Sequence, residues 1–236
     1  MDTGTIKMAT RVRWLGHACV VVETDKTRIV FDPFLTGNPR AAAKPEDVEA
    51  DYILISHGHG DHISDAVDIA KRTGATVVAT YEVVDWLLKR EIPKAHPMNT
   101  GGSYKFPFGR VKLTQAHHSS AMPDGSYGGN PVGFHLFLND GNSIYNAADT
   151  ALFGDMRLIG EEGIDLAILP IGDNFTMGPN DALRAIKFLL PRKVMPIHYN
   201  TWELITQDAK AWAARVRDET DSEPLIPEPG EWVTLT

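Results

Sequence analysis

Four metal-capable side chains fall within six residues at His57-Gly-His59-Gly-Asp61-His62. They follow a short apolar run, Tyr52 to Ser56, and precede a segment with helical spacing. Imidazole nitrogens and carboxylate oxygens are donors suited to Zn²⁺, Mn²⁺ or Fe²⁺. A loop between a strand and a helix can present them without competing backbone demands. His57 and His59, two positions apart, can point to one side of such a loop. Asp61 and His62, at the helix entrance, can reach a second point nearby. A solvated polar loop has no need of so dense a ligand set.

The rest of the chain reads as the frame for that loop. Arg11 to Leu15, Cys19 to Glu23 and Arg28 to Phe31 have strand character, with a polar turn from Thr24 to Thr27. Ser64 to Arg72 reads as a helix with Ser64 as N-cap and Gly74 past its end. Thr76 to Ala79 is a buried strand, Val83 to Lys89 a short helix and Val111 to Gln115 another strand. Val132 to Leu138 and Ser143 to Asn146 form a hairpin around an Asp-Gly turn. Leu166 to Ile171 and Val194 to Ile197 are strands. Between them Asp181 to Leu190 is a helix with Leu183, Ile186 and Leu190 on one face, stopped by Pro191. A last helix is expected from Glu203 to about Arg217.

The two halves echo each other. Gly16 to Asp32 and Gly133 to Asp149 have equal spacing, and each contains a hairpin. Each is followed by an Asp-led apolar strand, at Asp51 and Asp165, then a loop, a helix and another short strand. Two copies of such a unit imply an α/β fold with two sheets face to face and helices outside. That is a four-layer αββα sandwich with two pseudo-repeated halves, formed by one domain over residues 1–236. Ligands would enter where the strand ends of the halves meet.

A chain of 236 residues can bury a substantial core. The formal net charge is −8 and no stretch concentrates Lys or Arg. A nucleic-acid partner is therefore not expected, because displacing counterions from phosphates takes a basic stripe. An anionic membrane surface is disfavoured too. Cys19 is the sole cysteine, so no intramolecular disulfide forms, and its bland role is a small buried strand residue. The opening residues Met1 to Thr5 lack the basic head and apolar stretch of a signal peptide, and no apolar run is long enough to span a bilayer. These features point to a cytoplasmic protein with a small-molecule substrate. Association into a homo-oligomer is left open.

The histidine motif resembles the signature of the metallo-β-lactamase superfamily. Trp14-Leu-Gly-His-Ala18, Asp32-Pro-Phe-Leu-Thr-Gly-Asn-Pro39, Tyr127-Gly-Gly-Asn-Pro131, Ala151-Leu-Phe-Gly-Asp-Met156, Asn174-Phe-Thr-Met-Gly178 and His198-Tyr-Asn-Thr201 extend the likeness over nearly the whole chain. They resemble the branch that includes ascorbate-6-phosphate lactonase and its metal-dependent hydrolase relatives. The resemblance implies two divalent ions, foremost Zn²⁺ with Mn²⁺ or Fe²⁺ as alternatives. It places His57, His59 and His118 on one ion and Asp61, His62 and His198 on the other. Asp149 bridges them, and Asp61 and Asp149 are the catalytic carboxylates. A hydroxide shared by the ions would attack an ester, lactone or phosphodiester. A nuclease of the same superfamily and a non-hydrolytic metal-binding protein are the alternative readings.

Spacing alone does not choose between the neighbours His117 and His118; the resemblance favours His118. The resemblance puts Asp32 beside the metal loop, orienting it, and Asp32 is also the repeat counterpart of Asp149. His17, in a loop at the same level, either joins the pocket or is buried and satisfied by backbone. Ser56 and Ser119, next to ligands, read as structural. Asn130 and the loop containing Asn174 are expected to line the pocket. His96 and His135 are expected on the surface, in strands. Relatives carry His-Ala-Gly-Asp-Thr where this chain has Asn146-Ala-Ala-Asp-Thr150. Ala148 thus replaces a backbone-permissive Gly, and Asn146 is expected to support the site without touching metal.

Overall fold

Side chains along Cys19–Thr24 alternate between two cores. Val20 and Val22 join Ile29, Phe31, Phe134 and Leu136 between two sheets, while Cys19 and Val21 join Val30, Ile53, Ile69 and Ala70 beneath helices. Phe31 and Phe134 meet across the inter-sheet layer with ring centroids 5.7 Å apart. Double-sided burial of this kind requires a cover on each sheet, which the helices supply.

The computed structural model describes residues 9–235. Met1 to Thr5, on which the expectation of no signal peptide rests, lie outside them. In the first half the strands are β1 (Arg11–Gly16), β2 (Cys19–Thr24), β3 (Thr27–Phe31), β4 (Tyr52–Leu54), β5 (Thr76–Thr80) and β6 (Lys94–Met98). Then come β7 (Ser103–Phe106), β8 (Gly109–Gln115), β9 (Val132–Leu138), β10 (Ser143–Asn146), β11 (Leu166–Pro170), β12 (Lys193–Ile197), β13 (Glu223–Pro224) and β14 (Trp232–Thr234). The helices are α1 (Gly60–Ile63), α2 (Ala66–Thr73), α3 (Tyr81–Leu88), α4 (Met156–Gly160), α5 (Pro179–Leu189) and α6 (Ala209–Glu219). Among the described residues no helix is long and apolar enough to cross a membrane.

The sheets run β14-β1-β2-β3-β4-β5-β6 and β7-β8-β9-β10-β11-β12-β13. Read in those orders, both have three antiparallel pairings followed by three parallel ones. The expected αββα sandwich and its duplication are therefore present. The residue alignment of the repeat needs correcting. Asp32 N–H donates to Leu54 O and Ala147 N–H to Ile168 O, each at 3.0 Å, so Ala147 is the counterpart of Asp32. Asp149 lies two residues further on. The equal spacing misleads because its starting glycines are not counterparts: Gly16 ends β1 whereas Gly133 lies inside β9, and the β9–β10 turn, closed by Leu138 N–H to Asn142 O, is also longer than the turn paired at Thr24 and Thr27.

Several local expectations also change. Ser64 is not an N-cap but the C-terminal cap of α1; α2 follows Asp65, whose carboxylate accepts from Leu35 N–H and Thr36 N–H. Gly74 ends α2 in the left-handed conformation, as expected. Leu189, not Leu190, completes the buried face of α5; Leu190 is the left-handed cap and is exposed. The expected last helix is broken: a 3₁₀ turn at Glu203–Ile205 precedes α6, which is capped by Asp208 accepting from Ala211 N–H at 2.9 Å. Cys19 is buried in β2, where loss of hydration pushes its thiol pKa up.

Candidate metal centre

The parallel strands end on one edge, and the loops leaving those ends carry the site. His57 to His62 follow β4, Asp32 follows β3, Asp149 follows β10, His118 follows β8, His198 follows β12 and His17 follows β1. Ligand sites in α/β folds sit at carboxyl ends of strands because the loops there converge. His17, Asp32, Ala148 and His198 all have positive φ, 53°, 42°, 52° and 55°. Such backbone costs energy and persists where neighbours impose it. Gly58 has a different reason: a Cβ there would collide with Met122 Sδ and the Ala121 carbonyl.

Among the described residues three groups of potential ligands result, each with donor atoms within 4.8 Å of one another: His57, His59 and His118; His17, Asp61, His62 and His198; and His57, His62 and Asp149, which links the first two clusters. Asp149 lies between them. Its Oδ2 is 3.0 Å from His198 Nε2, 3.2 Å from His62 Nε2 and 3.7 Å from His118 Nε2. Asp149 Oδ1 and His62 Nε2 are buried without a hydrogen-bond partner. Buried polar atoms without partners are costly, and here they converge with other ligand atoms on one point. The donor set and these orphaned atoms fit divalent metal. His117 stands apart: exposed, its ring stacks on Phe153 at 4.9 Å.

A hydrogen-bonded layer behind the cage sets its tautomers. Ser56 Oγ donates to Asp32 Oδ2 at 2.7 Å, so it accepts from His57 Nδ1–H at 2.9 Å and leaves His57 Nε2 as the donor towards metal. His62 Nδ1–H donates to the same Asp32 oxygen at 3.0 Å. Ser56 thus relays orientation between Asp32 and His57, a role its identity alone did not suggest. His17 is fully buried. Its Nε2–H donates to Asp61 Oδ2 at 3.1 Å and its Nδ1 accepts from Thr201 Oγ at 2.7 Å. Of the two readings of His17, the structure therefore gives the site one: it fixes Asp61.

Charges are divided unevenly across the cage. Burial lowers the His57 pKa well below its ordinary value, reinforced by the His62 charge, and burial lowers His59 and His118 as well. Burial lowers His17 to about 4 against the pull of Asp61. Burial would also lower His62, but Asp149 and Asp32 overcome it and raise the pKa well above 6.5. Asp149 is held well below the carboxylate range, because His198 and His62 outweigh its own burial. Metal must displace a proton from His62 but not from His57, His59 or His118 at neutral pH. Below the raised pKa of His62 the metal-free protein holds that proton, so affinity for the ion on His62 should rise about tenfold per pH unit and level off above it. Zn²⁺ titration in weak buffer at pH 7 should release a proton on filling that site. Affinity independent of pH below 6.5 would contradict this.

Asn146 is buried, and its Oδ1 accepts from Ala148 N–H at 3.0 Å. This bond braces the left-handed Ala148 that aims Asp149. Asn146→Ala should lower unfolding stability by about 1–3 kcal/mol, since the Ala148 N–H loses its partner. Metal content should stay that of the parent in that variant by elemental analysis; a loss of metal would make Asn146 a ligand rather than a brace.

A cavity of about 430 Å³ opens onto the cage and is walled also by Ser119, Phe175, Trp202 and Leu204. Asn130 and Asn174 are exposed and do not line it; Phe175 supplies the wall from the expected loop. Neither Trp202 nor Leu204 stood out in the sequence, although an apolar pair just after His198 was the available signal. His96 lies half-buried in β6. His135 is in strand β9 as expected but buried rather than on the surface, with Nε2 2.7 Å from Ser143 Oγ.

Two facing mixed sheets with a His/Asp cage at their strand ends define a metal-dependent hydrolase of the metallo-β-lactamase fold. The pattern of the beta-lactamase superfamily domain matches residues 27–199, and the chain belongs to that family. It is 54% identical over 224 residues to a UPF0173 metal-dependent hydrolase of Thermus thermophilus, covering 95% of this chain and 98% of that one. It is 50% identical over 230 residues to another of Pelotomaculum thermopropionicum, covering 95% and 100%. A metallo hydrolase from the archaeon Ignicoccus hospitalis superposes with a TM-score of 0.89 at 35% identity, over 97% of this chain and 99% of that one.

Proposed function

We propose that the chain is a dinuclear hydrolase that cleaves an ester, lactone or phosphodiester bond of a small molecule. The observation that carries this reading is Asp149 Oδ2, reached by Nε2 atoms from both ligand clusters. His57, His59 and His118 would hold one ion; Asp61, His62 and His198 the other; Asp149 would contact both. Bound Zn²⁺, Mn²⁺ or Fe²⁺ supplies Lewis acidity and brings the pKa of water to about 7. The chain's own residues do the positioning. Asp32 holds His62 directly and His57 through Ser56, and His17 holds Asp61. Phe175, Trp202 and Leu204 give the cavity an apolar wall beside the cage. A small substrate, rather than nucleic acid, agrees with the −8 charge and with a cavity whose described lining contains no Lys or Arg. Work in a reducing compartment such as the cytoplasm suits the lone buried cysteine.

Removal of metal with a chelator is expected to abolish turnover, and Zn²⁺ or Mn²⁺ to restore it, with activity tracking occupancy up to two ions per chain. Full activity at a verified single ion per chain would defeat the dinuclear reading.

A further inference from the structure

The mouth of the cavity is built from exposed apolar side chains. Phe175, Trp202 and Leu204 are 51%, 41% and 68% exposed, and they wall one cavity together rather than lying scattered over the surface. They are held in place. Trp202 packs edge-on against His17 at 4.9 Å and lies 6.1 Å from Phe34. Leu204 sits in the 3₁₀ turn whose neighbour Ile205 is buried and whose backbone bonds Asn200 N–H to Ile205 O at 2.9 Å. Phe175 belongs to a loop anchored by Met177 N–H to Thr150 O at 2.9 Å.

The polar groups facing the same cavity are the candidate metal ligands and Ser119; no Lys or Arg is among the described lining residues. Positive charge is thus confined to the point where the scissile bond must lie. A second anionic group on the substrate would rest on Phe175, Trp202 or Leu204, stripped of water and without a counter-charge. An aliphatic group placed there gains from burial instead.

Resting on the hydrolase reading, we infer that the substrate is a neutral carboxylic ester or lactone whose aliphatic portion lies against Phe175, Trp202 and Leu204. In that reaction the oxygen of water bonds to the carbonyl carbon and the acyl C–O bond breaks. The departing alkoxide takes up a proton, giving a carboxylic acid and an alcohol. The three apolar side chains set specificity and take no part in bond-making.

The test uses the full chain loaded with Zn²⁺ or Mn²⁺ and 4-nitrophenyl esters of acetate, butyrate, hexanoate and octanoate. The anionic 4-nitrophenyl succinate and bis(4-nitrophenyl) phosphate are run beside them. kcat/KM should rise about fourfold per added methylene until the cavity is filled, mostly through KM, and both anionic compounds should be poor substrates. Leu204→Ser and Trp202→Ala should flatten the series while metal content stays that of the parent. Without metal, 1-octanol should perturb Trp fluorescence in the parent chain and not in Trp202→Phe. A flat series in the parent, or anionic compounds turned over as well as neutral ones, would overturn the substrate class and leave metal-dependent hydrolysis standing. No chelator-sensitive turnover of any compound would overturn the hydrolase reading and this inference with it.

Discussion

Asp149→Asn is expected to leave a folded protein that retains less metal than the parent and loses more activity than the roughly 10–100-fold typical of a lost ligand-supporting group. The reason is the crowding at one oxygen. Asp149 Oδ2 lies 3.0–3.7 Å from Nε2 of His198, His62 and His118. An amide keeps the shape but removes the negative charge and, in one orientation, turns an N–H₂ group towards those imidazoles. It is also a poor ligand beside imidazoles and carboxylates. The change has a second signature, in protons. Asp149 is the foremost charge raising the His62 pKa against burial, so the variant should lower it. Proton release from His62 on adding Zn²⁺ should then shrink at pH 7. Metal content per chain and the proton count decide the matter together. A variant that keeps the parent's metal content and near-parental activity would remove Asp149 from the centre of the cage.

The sequence revealed the metal loop because its ligands are contiguous and sit between a buried strand and a helix. It also revealed the sandwich, because strand order recurs in each half even where residues do not align. What it hid has physical causes. Asp32 and Asp149 share a spacing by coincidence, counted from a Gly16 that ends β1 and a Gly133 inside β9, so a repeat read by counting paired the wrong residues. The strands Lys94–Met98, Ser103–Phe106, Glu223–Pro224 and Trp232–Thr234 went unrecognised. They are short, at or beside sheet edges, and lack the alternating apolar pattern of Cys19–Thr24. Ser56 looked structural because its value lies in joining Asp32 to His57, a contact across 24 residues that no local pattern encodes. The cavity wall was hidden by the break before α6. A helix drawn from Glu203 would have placed Leu204 on a helical face, whereas the 3₁₀ turn sets it at the cavity mouth.

His118→Ala should lose metal and activity together, whereas His117→Ala should keep its metal content and most of its activity. Adjacent residues in extended chain face opposite ways, so only one of the pair can enter the cage. The backbone around His117 decides which. Its N–H donates to Thr150 Oγ at 2.9 Å, and its carbonyl accepts from Ala151 N–H at 3.0 Å. That pins His117 to the chain just beyond Asp149, with its ring stacked on Phe153. The next residue must then turn inwards, and His118 meets the rings of His57 and His59 at 5.1 Å each. Removing its imidazole takes away one of the three histidines of that cluster and leaves His57 and His59 with the shared Asp149. His117→Ala removes only an exposed stack on Phe153, and surface changes of this kind usually stay within about 0.5 kcal/mol. Elemental analysis of both variants, purified without added metal, reads the outcome directly. A full complement of metal in His118→Ala beside a depleted His117→Ala would reverse the assignment and require the loop after β8 to turn the other way.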